Sequence, residues 1–261
     1  MEGKFLFLGT GGSMGTPVIT CSCAVCRSTN PFNHRLRPSG MIKIGGKQLL
    51  IDAGPDIRAQ ALTYGIHNLD GLLLTHTHFD HTAGLDDLRV FYFIHKRVLP
   101  CLLSEESLTD LKRSFPYFFT ESDDDVMGGA RFRFQVLPTD FGTVPFEGFN
   151  FQVMSYSQKG MKVTGYRLGS FAYVVDVRDF DDRLIAALQG VEVLVLSALR
   201  STPSPAHLTF DEAISVARRV GAKKTYFTHI SHHSEHEETN NKLPPDIRLA
   251  YDGLEINFHV V

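Results

Sequence analysis

No stretch of the sequence runs to the 18 or so consecutive apolar residues that a membrane-crossing helix needs. The opening residues, Met1-Glu2-Gly3-Lys4-Phe5-Leu6-Phe7-Leu8, lack the basic stretch, long apolar core and cleavage site of an export signal. A cytoplasmic protein with no membrane partner is therefore expected. A basic surplus is also missing: 26 Lys and Arg stand against 29 Asp and Glu, a formal net charge of -3. That leaves no electrostatic footprint for a dedicated nucleic-acid binder, which shows as a basic patch or a high pI. Cysteine is scarce, at four residues, and three of them crowd into Cys21-Ser22-Cys23-Ala24-Val25-Cys26. Such spacing excludes a useful disulfide framework and suits a metal-thiolate loop. Cys101, alone in the apolar run Val98 to Leu103, reads as a buried structural thiol. No repeat at a solenoid period and no linker divides the chain, so residues 1–261 are expected to form a single domain.

What is present is concentrated in His76-Thr77-His78-Phe79-Asp80-His81, directly after the apolar run Gly71-Leu72-Leu73-Leu74-Thr75. A buried strand ending in three imidazoles and a carboxylate makes little sense as packing. Each polar group left without a partner there would cost about 2–7 kcal/mol. A metal ion removes that cost by accepting the lone pairs. The bland alternative is a coincidentally polar loop.

The rest of the pattern alternates strands and helices. Strands are expected at Lys4–Leu8, Met41–Ile44 and Gln48–Ile51, the last two joined by a Gly45-Gly46 hairpin. Further strands are expected at Gly71–Thr75, Val98–Leu103, Arg131–Leu137, Phe149–Ser155, Val163–Leu168, Phe171–Asp176, Val191–Leu196 and Thr225–Thr228. Ile247–Tyr251 and Leu254–Phe258 close the series. Helices are expected at Pro55–Tyr64, Thr82–Tyr92, Ser104 to about Arg113, Asp181–Leu188 and Phe210–Val220. Asp123-Asp124-Asp125 reads as a solvated loop. The order fits two central sheets with helices on their outer faces, a four-layer α/β sandwich.

Metal chemistry needs completing ligands. Asp176 closes the apolar strand Phe171-Ala172-Tyr173-Val174-Val175, and a carboxylate there suits a group bridging two cations; an ordinary strand-end cap is the alternative. His229 closes Tyr226-Phe227-Thr228 in the run Thr228-His229-Ile230-Ser231-His232, repeating the strand-then-histidine logic of His76. In Thr75-His76-Thr77-His78-Phe79-Asp80-His81 with Gly84, in Asp176 and in Thr228 to His232, the chain resembles the metallo-β-lactamase superfamily of dinuclear metal hydrolases. Cys21 to Cys26, Thr228 to His232 and Tyr251-Asp252-Gly253-Leu254-Glu255-Ile256 are similar to the PhnP-like branch. That branch holds the phosphodiesterase that opens phosphoribosyl 1,2-cyclic phosphate.

The resemblance implies an αββα fold with the site at the edge of the two sheets. It assigns His76 and His78 to one metal, Asp80, His81 and His229 to the other, and Asp176 to both. It also implies a structural zinc on Cys21, Cys23, Cys26 and His232, and the chemistry agrees, since three thiolates and an imidazole make a closed tetrahedral set. Two catalytic cations, zinc or manganese, would hold a hydroxide and clamp a phosphoryl group. His207, in Pro205-Ala206-His207-Leu208-Thr209, matches the branch's substrate-side histidine and could donate a proton. A homodimer is suggested by the resemblance alone.

One departure stands out. The superfamily supplies a third histidine to the first metal from a strand before Asp176, and this chain has no histidine between His95 and His207. The matching segment reads Val153-Met154-Ser155-Tyr156-Ser157-Gln158, with an insertion near Lys159-Gly160. Two histidines, Asp176 and a hydroxide still give four-coordination, at a weaker site whose metal preference is less defined. His34, His67, His95 and His259 read as structural or solvent-facing, and His233 and His236 as a polar loop. Gly9, Gly11 and Gly12 lack a following Gly-Lys-Ser/Thr and suit a tight turn beside the site. Arg37, Arg89 and Arg200 are candidates to grip phosphate.

The expected activity is hydrolysis of a small cyclic or diester phosphate by a metal-bound hydroxide. The alternatives are a tRNA 3′-processing nuclease and a non-catalytic zinc-binding member with a degenerate first site. No basic Gly/Pro-rich arm is visible for the nuclease, and the modest acidity counts against nucleic acid.

Overall fold

Two seven-stranded sheets face one another in the computed structural model, which describes residues 1–119 and 129–260. The first sheet contains β1 (Glu2–Gly9), β2 (Ser39–Ile44), β3 (Lys47–Ile51), β4 (Gly71–Leu73), β5 (Leu99–Leu103) and β6 (Phe132–Val136). The second contains β7 (Phe141–Phe146), β8 (Phe149–Gln158), β9 (Met161–Leu168), β10 (Phe171–Val174), β11 (Val193–Ser197), β12 (Lys224–Thr228) and β13 (Ile247–Leu249). The last strand, β14 (Glu255–His259), returns to the first sheet beside β1, giving the order β14-β1-β2-β3-β4-β5-β6. The second sheet runs β13-β12-β11-β10-β9-β8-β7. In each sheet a parallel half, β3 to β6 or β10 to β13, adjoins an antiparallel half.

Strand residues divide between layers by the two-residue period of the β pleat. Phe5 and Phe7 of β1 enter the core between the sheets, while Leu6 and Leu8 face the helices outside. On β10, Phe171 and Tyr173 point between the sheets, and Ala172 and Val174 point outward. Strands buried on both faces explain the near-continuous apolar runs of the sequence.

The helices are α1 (Ile57–Thr63), α2 (Phe79–Thr82), α3 (Arg89–His95), α4 (Glu105–Ser114), α5 (Asp182–Ala187), α6 (Phe210–Val220) and α7 (His236–Lys242). No helix among the described residues is long and apolar enough to cross a membrane. The expected helix Thr82–Tyr92 is instead broken into the end of α2, a 3-10 turn at Leu85–Leu88, and α3. Gly84 is the cause, because its N–H leaves the helical ladder to bond Ala53 O at 2.9 Å. A Cβ at Gly84 would stand 2.1 Å from Gly54 O, and one at Gly54 would stand 2.0 Å from Asp80 O. Only paired glycines let these backbones meet, and that contact seats the histidine motif beside the end of β3. Strand β7 and helix α7 were not anticipated from the sequence. Asp123-Asp124-Asp125 lies outside the described residues.

The sheets touch along one edge. Thr164 N bonds Thr75 O at 2.9 Å, and Tyr166 Oη donates to Leu74 O at 2.6 Å. The C-terminal ends of β3, β4, β8, β10 and β12 meet at that edge. This is where open α/β sheets place their ligands.

Candidate metal centre

Asp52 follows β3 directly and anchors the centre from below. Its Oδ1 accepts from Thr75 N at 2.8 Å, and its Oδ2 accepts from Thr75 Oγ1 at 2.7 Å. The same Oδ2 lies 2.7 Å from His81 Nδ1 and fixes that ring. A carboxylate held this way sets the tautomer of a metal-binding imidazole and leaves its other nitrogen bare. Sequence reasoning missed Asp52. Its signal was the one used for Asp176, an acidic residue closing an apolar strand, here Leu49-Leu50-Ile51-Asp52 before Gly54.

His81 Nε2 then faces Asp176 Oδ2 at 2.8 Å and Asp80 Oδ2 at 3.6 Å. His76 Nε2 lies 2.9 Å from His78 Nδ1 and 3.6 Å from Asp176 Oδ2. His229 Nε2 lies 3.2 Å from Asp176 Oδ1 and 3.3 Å from Asp80 Oδ2. The other five residues named by the sequence pattern thus gather around the carboxylate of Asp176. Asp52, Asp176 and His229 all carry positive φ, at 59°, 53° and 60°. This left-handed backbone is unfavourable for residues with a Cβ and gathers at functional sites.

The fit to cations rests on two orphans. His81 Nε2 and Asp176 Oδ2 are buried, 2.8 Å apart, and neither has a hydrogen-bond partner, as suits two ligand atoms of one cation. Burial opposes charge on every member. At His76 and His78 burial wins, pushing both imidazoles below the ordinary range and leaving them neutral donors. At Asp80 burial is outweighed by His81 and His229, which hold the carboxyl well below the usual range. Asp176 is held down likewise against burial, by His229, His207 and His81. Burial is also outweighed at His81, raised by Asp80 and Asp52, and at His229, raised by Asp176 and Asp80.

His207 reaches the same carboxylate, with Nδ1 3.1 Å from Asp176 Oδ1 and its ring stacked on His229 at 4.7 Å. Gln158, at the end of β8, joins them: its Nε2 lies 3.0 Å from Asp176 Oδ1 and 3.1 Å from His207 Nδ1. These groups line a cavity of about 560 Å³ with Ser13, Phe79 and Lys159. Lys159 is the cation on that wall, and the sequence reading had not singled it out. None of the three candidate arginines lines the cavity. Arg37 pairs with Asp56 at 3.0 Å, Arg89 pairs with Asp86 at 3.2 Å, and Arg200 borders a neighbouring cleft.

A second ligand cluster lies three residues beyond His229. His232 Nδ1 is 3.3 Å from Cys21 Sγ and 3.5 Å from both Cys23 and Cys26 Sγ. The Cys26 N–H and His232 draw the Cys23 thiol down to about 6, toward the thiolate that a metal needs. Cys101 stays apart, buried in β5 with its thiol pushed up by burial. His34, His67, His95 and His259 also stand away from both clusters. The expected polar loop at His236 is instead the start of α7, and its ring is buried against Arg35, whose guanidinium donates to Nδ1 at 2.9 Å.

Known proteins align with this arrangement. The Beta-lactamase superfamily domain matches residues 47–230. The crystal structure of a new diphosphatase from the PhnP family superposes with a TM-score of 0.91 at 39% identity, covering 99% of this chain and 98% of that one. Ribonuclease Z of Methanopyrus kandleri is 28% identical over 96% of each chain. An octanoyltransferase of Porphyromonas gingivalis is 34% identical over 97% of this chain, which spans only 51% of that protein's length. Zinc-bound PqqB from Methylobacterium extorquens shares the fold, with a TM-score of 0.78 at 19% identity over 97% of this chain and 99% of that one.

Proposed function

The chain belongs to the β-lactamase superfamily, on its PhnP-family branch, and from that premise we propose that it is a metal-dependent hydrolase that cleaves a small cyclic or diester phosphate. The observation that carries this reading is the convergence of His76, His78, Asp80, His81, His229 and His207 around the buried carboxylate of Asp176. His76 and His78 would hold one cation, Asp80, His81 and His229 the other, and Asp176 both. Cys21, Cys23, Cys26 and His232 would hold a structural zinc, and a reducing cytoplasm would keep those thiols available. Bound there, two divalent cations would supply an activated water at neutral pH and would neutralise charge on phosphoryl oxygens.

The chain's own groups complete the task. Asp52 keeps His81 turned toward the centre. His207 has its Nδ1 engaged by Gln158 and Asp176, so Nε2 is the nitrogen available to protonate a leaving oxygen. Lys159 meets the negative charge of the substrate at the cavity wall. A cavity near 560 Å³ suits a small ligand, within the roughly 300–1,000 Å³ of such sites. The ribonuclease Z relative supports a nuclease reading, but one lining lysine and a net charge of -3 give poor support for binding a long polyanion. The octanoyltransferase relative carries no argument, because half of that protein lies outside the match.

Turnover of bis(p-nitrophenyl) phosphate by the metal-loaded chain tests the proposal. The expected result is activity that falls by at least about a hundredfold in Asp80→Ala, which loses a ligand and an ionised carboxylate. A fully loaded wild-type chain that leaves diesters and diphosphates intact would sink the reading. Precursor tRNA cleaved as efficiently as the small diester would replace it with the nuclease.

A further inference from the structure

His81 and His229 are held in different ways. The Nδ1 of His81 is fixed by Asp52 at 2.7 Å, whereas the Nδ1 of His229 is buried with no hydrogen-bond partner among the described residues. The aim of His229 at Asp80 and Asp176 therefore depends on its packing and on the backbone that carries it. His207 stacks on the ring, and a Cβ at Gly12 would lie 3.4 Å from Nδ1. The backbone stands at φ 60°, a conformation that persists only where neighbours hold it.

Those neighbours are Thr10 to Gly12. Ile230 N donates to Thr10 O at 2.9 Å, and Gly12 N donates to Ile230 O at 3.0 Å, which clamps the residue next to His229 through both its polar groups. Thr10 is fully buried and is fixed in turn by three contacts. Its N–H and its hydroxyl both donate to Asp252 Oδ1, at 2.8 Å and 2.7 Å, and the hydroxyl accepts from Arg35 Nη1 at 2.7 Å. A hydroxyl has a single proton to give, so a guanidinium on one side and a carboxylate on the other leave it one orientation. Asp252 Oδ2 accepts from Leu36 N at 2.7 Å, and Leu36 O accepts from Gly11 N at 2.9 Å. Arg35 is anchored as well, donating to Ala250 O at 2.6 Å and to His236 Nδ1 at 2.9 Å. Hydrogen bonds to charged groups are roughly twice as strong as neutral ones, and here they converge on the strip that holds Ile230.

We propose that Asp252, acting with Arg35 through Thr10, is a positioning residue for His229, a role that rests on the reading of His229 as a ligand. It fixes the Thr10–Gly12 strip, and the strip sets the angle at which His229 meets a cation at the Asp80–His81–His229 position, the Asp80 position for short. The Gly9-Thr10-Gly11-Gly12 turn and the closing Tyr251-Asp252-Gly253 stretch, far apart in the chain, thus serve one imidazole.

Co²⁺ titrated into the full chain, after a weak chelator has emptied the histidine centre, tests this without any assay of turnover. The visible bands of Co²⁺ report how many ligands it has there, and elemental analysis follows zinc at the cysteines. Thr10→Val keeps the shape of the side chain and removes the hydroxyl. It is expected to weaken Co²⁺ binding by at least about tenfold, the lower end of what supporting partners contribute to metal affinity, and to alter the visible bands. Zinc at the cysteines is expected to stay unchanged. Thr10→Ser returns the hydroxyl and is expected to restore affinity and bands. Asp252→Asn sets amide hydrogens against Leu36 N–H and is expected to match Thr10→Val; the threonine pair decides the matter if that chain fails to fold. Leu111→Val, a core change in α4, supplies a chain with a lowered melting midpoint whose affinity and bands are expected to stay as in wild type. Unchanged affinity and bands in Thr10→Val overturn the proposal, and so does an equal loss in Leu111→Val. His229→Ala separates the premise from the inference. Bands unmoved in that chain defeat the ligand reading and the proposal together, whereas bands lost there but intact in Thr10→Val defeat the proposal alone.

Discussion

Asp52 shows how much of a candidate metal centre lies behind its proposed ligands. It sits buried at a positive φ, a conformation costing about 1–3 kcal/mol for a residue with a Cβ, and it is held there by Thr75 and His81. Asp52→Asn keeps the size and removes the charge. The expected effect is a 10–100-fold weaker grip at the Asp80 position, in the range seen when such supporting carboxylates are lost. Competition against a zinc chelator measures it, and unchanged affinity would show that the His81–Asp52 bond is only packing. The residues that the sequence makes legible are those whose chemistry is odd for their place, such as His76 to His81 after an apolar strand. Asp52 carried the same oddness in weaker form. Gln158 carried none, because a strand-end glutamine is ordinary until its distance to Asp176 is known.

Elements were legible where periodicity and caps agreed. Helix α6 spans Phe210–Val220 as expected, since Thr209 and Glu212 form a capping box at its start and Gly221 takes φ 74° at its end. Strand β7 carries Gly142 and Pro145 and has exposed residues among buried ones, so its pattern is faint. Helix α7, His236-Glu237-Glu238-Thr239-Asn240-Asn241-Lys242, has no apolar stripe, and its start depends on Glu235 capping Glu238 N. The α6 cap also bears on the site, because His207 stands two residues before Thr209. Thr209→Ala is expected to cost about 1 kcal/mol and to lower the melting midpoint by about 2–4 °C. Diester turnover should fall further than that loss explains, with metal content unchanged, as the approach to His207 loosens. A variant with the lower midpoint but full turnover would separate the cap from the site.

At the scale of the molecule, residues from distant parts of the chain meet at one edge. The layered architecture followed from the order of apolar runs. Which strand ends would meet was set by two crossings that the sequence does not display: β14 returning to β1, and the contact of Thr164 with Thr75. The cysteine cluster ties the same region, since Cys21 Sγ lies 3.3 Å from a histidine 211 positions later, on the loop that carries His229. Cys23→Ser is expected to lose one zinc per chain, to lower the melting midpoint by several degrees and to reduce zinc at the Asp80 position as His229 shifts. Elemental analysis with a thermal melt reads all three, and a serine variant with full zinc at that position would uncouple the clusters.

That long-range clasp reaches beyond architecture. With zinc between the cysteines and His232, the ion binds the folded chain far better than the unfolded one, so the folded fraction follows free zinc by mass action. In a cell, unfolded chains go to proteases, and shifts of about 1–2 kcal/mol change abundance several-fold. Zinc scarcity would therefore be felt first in how many copies survive degradation, before any change in what each surviving copy can do.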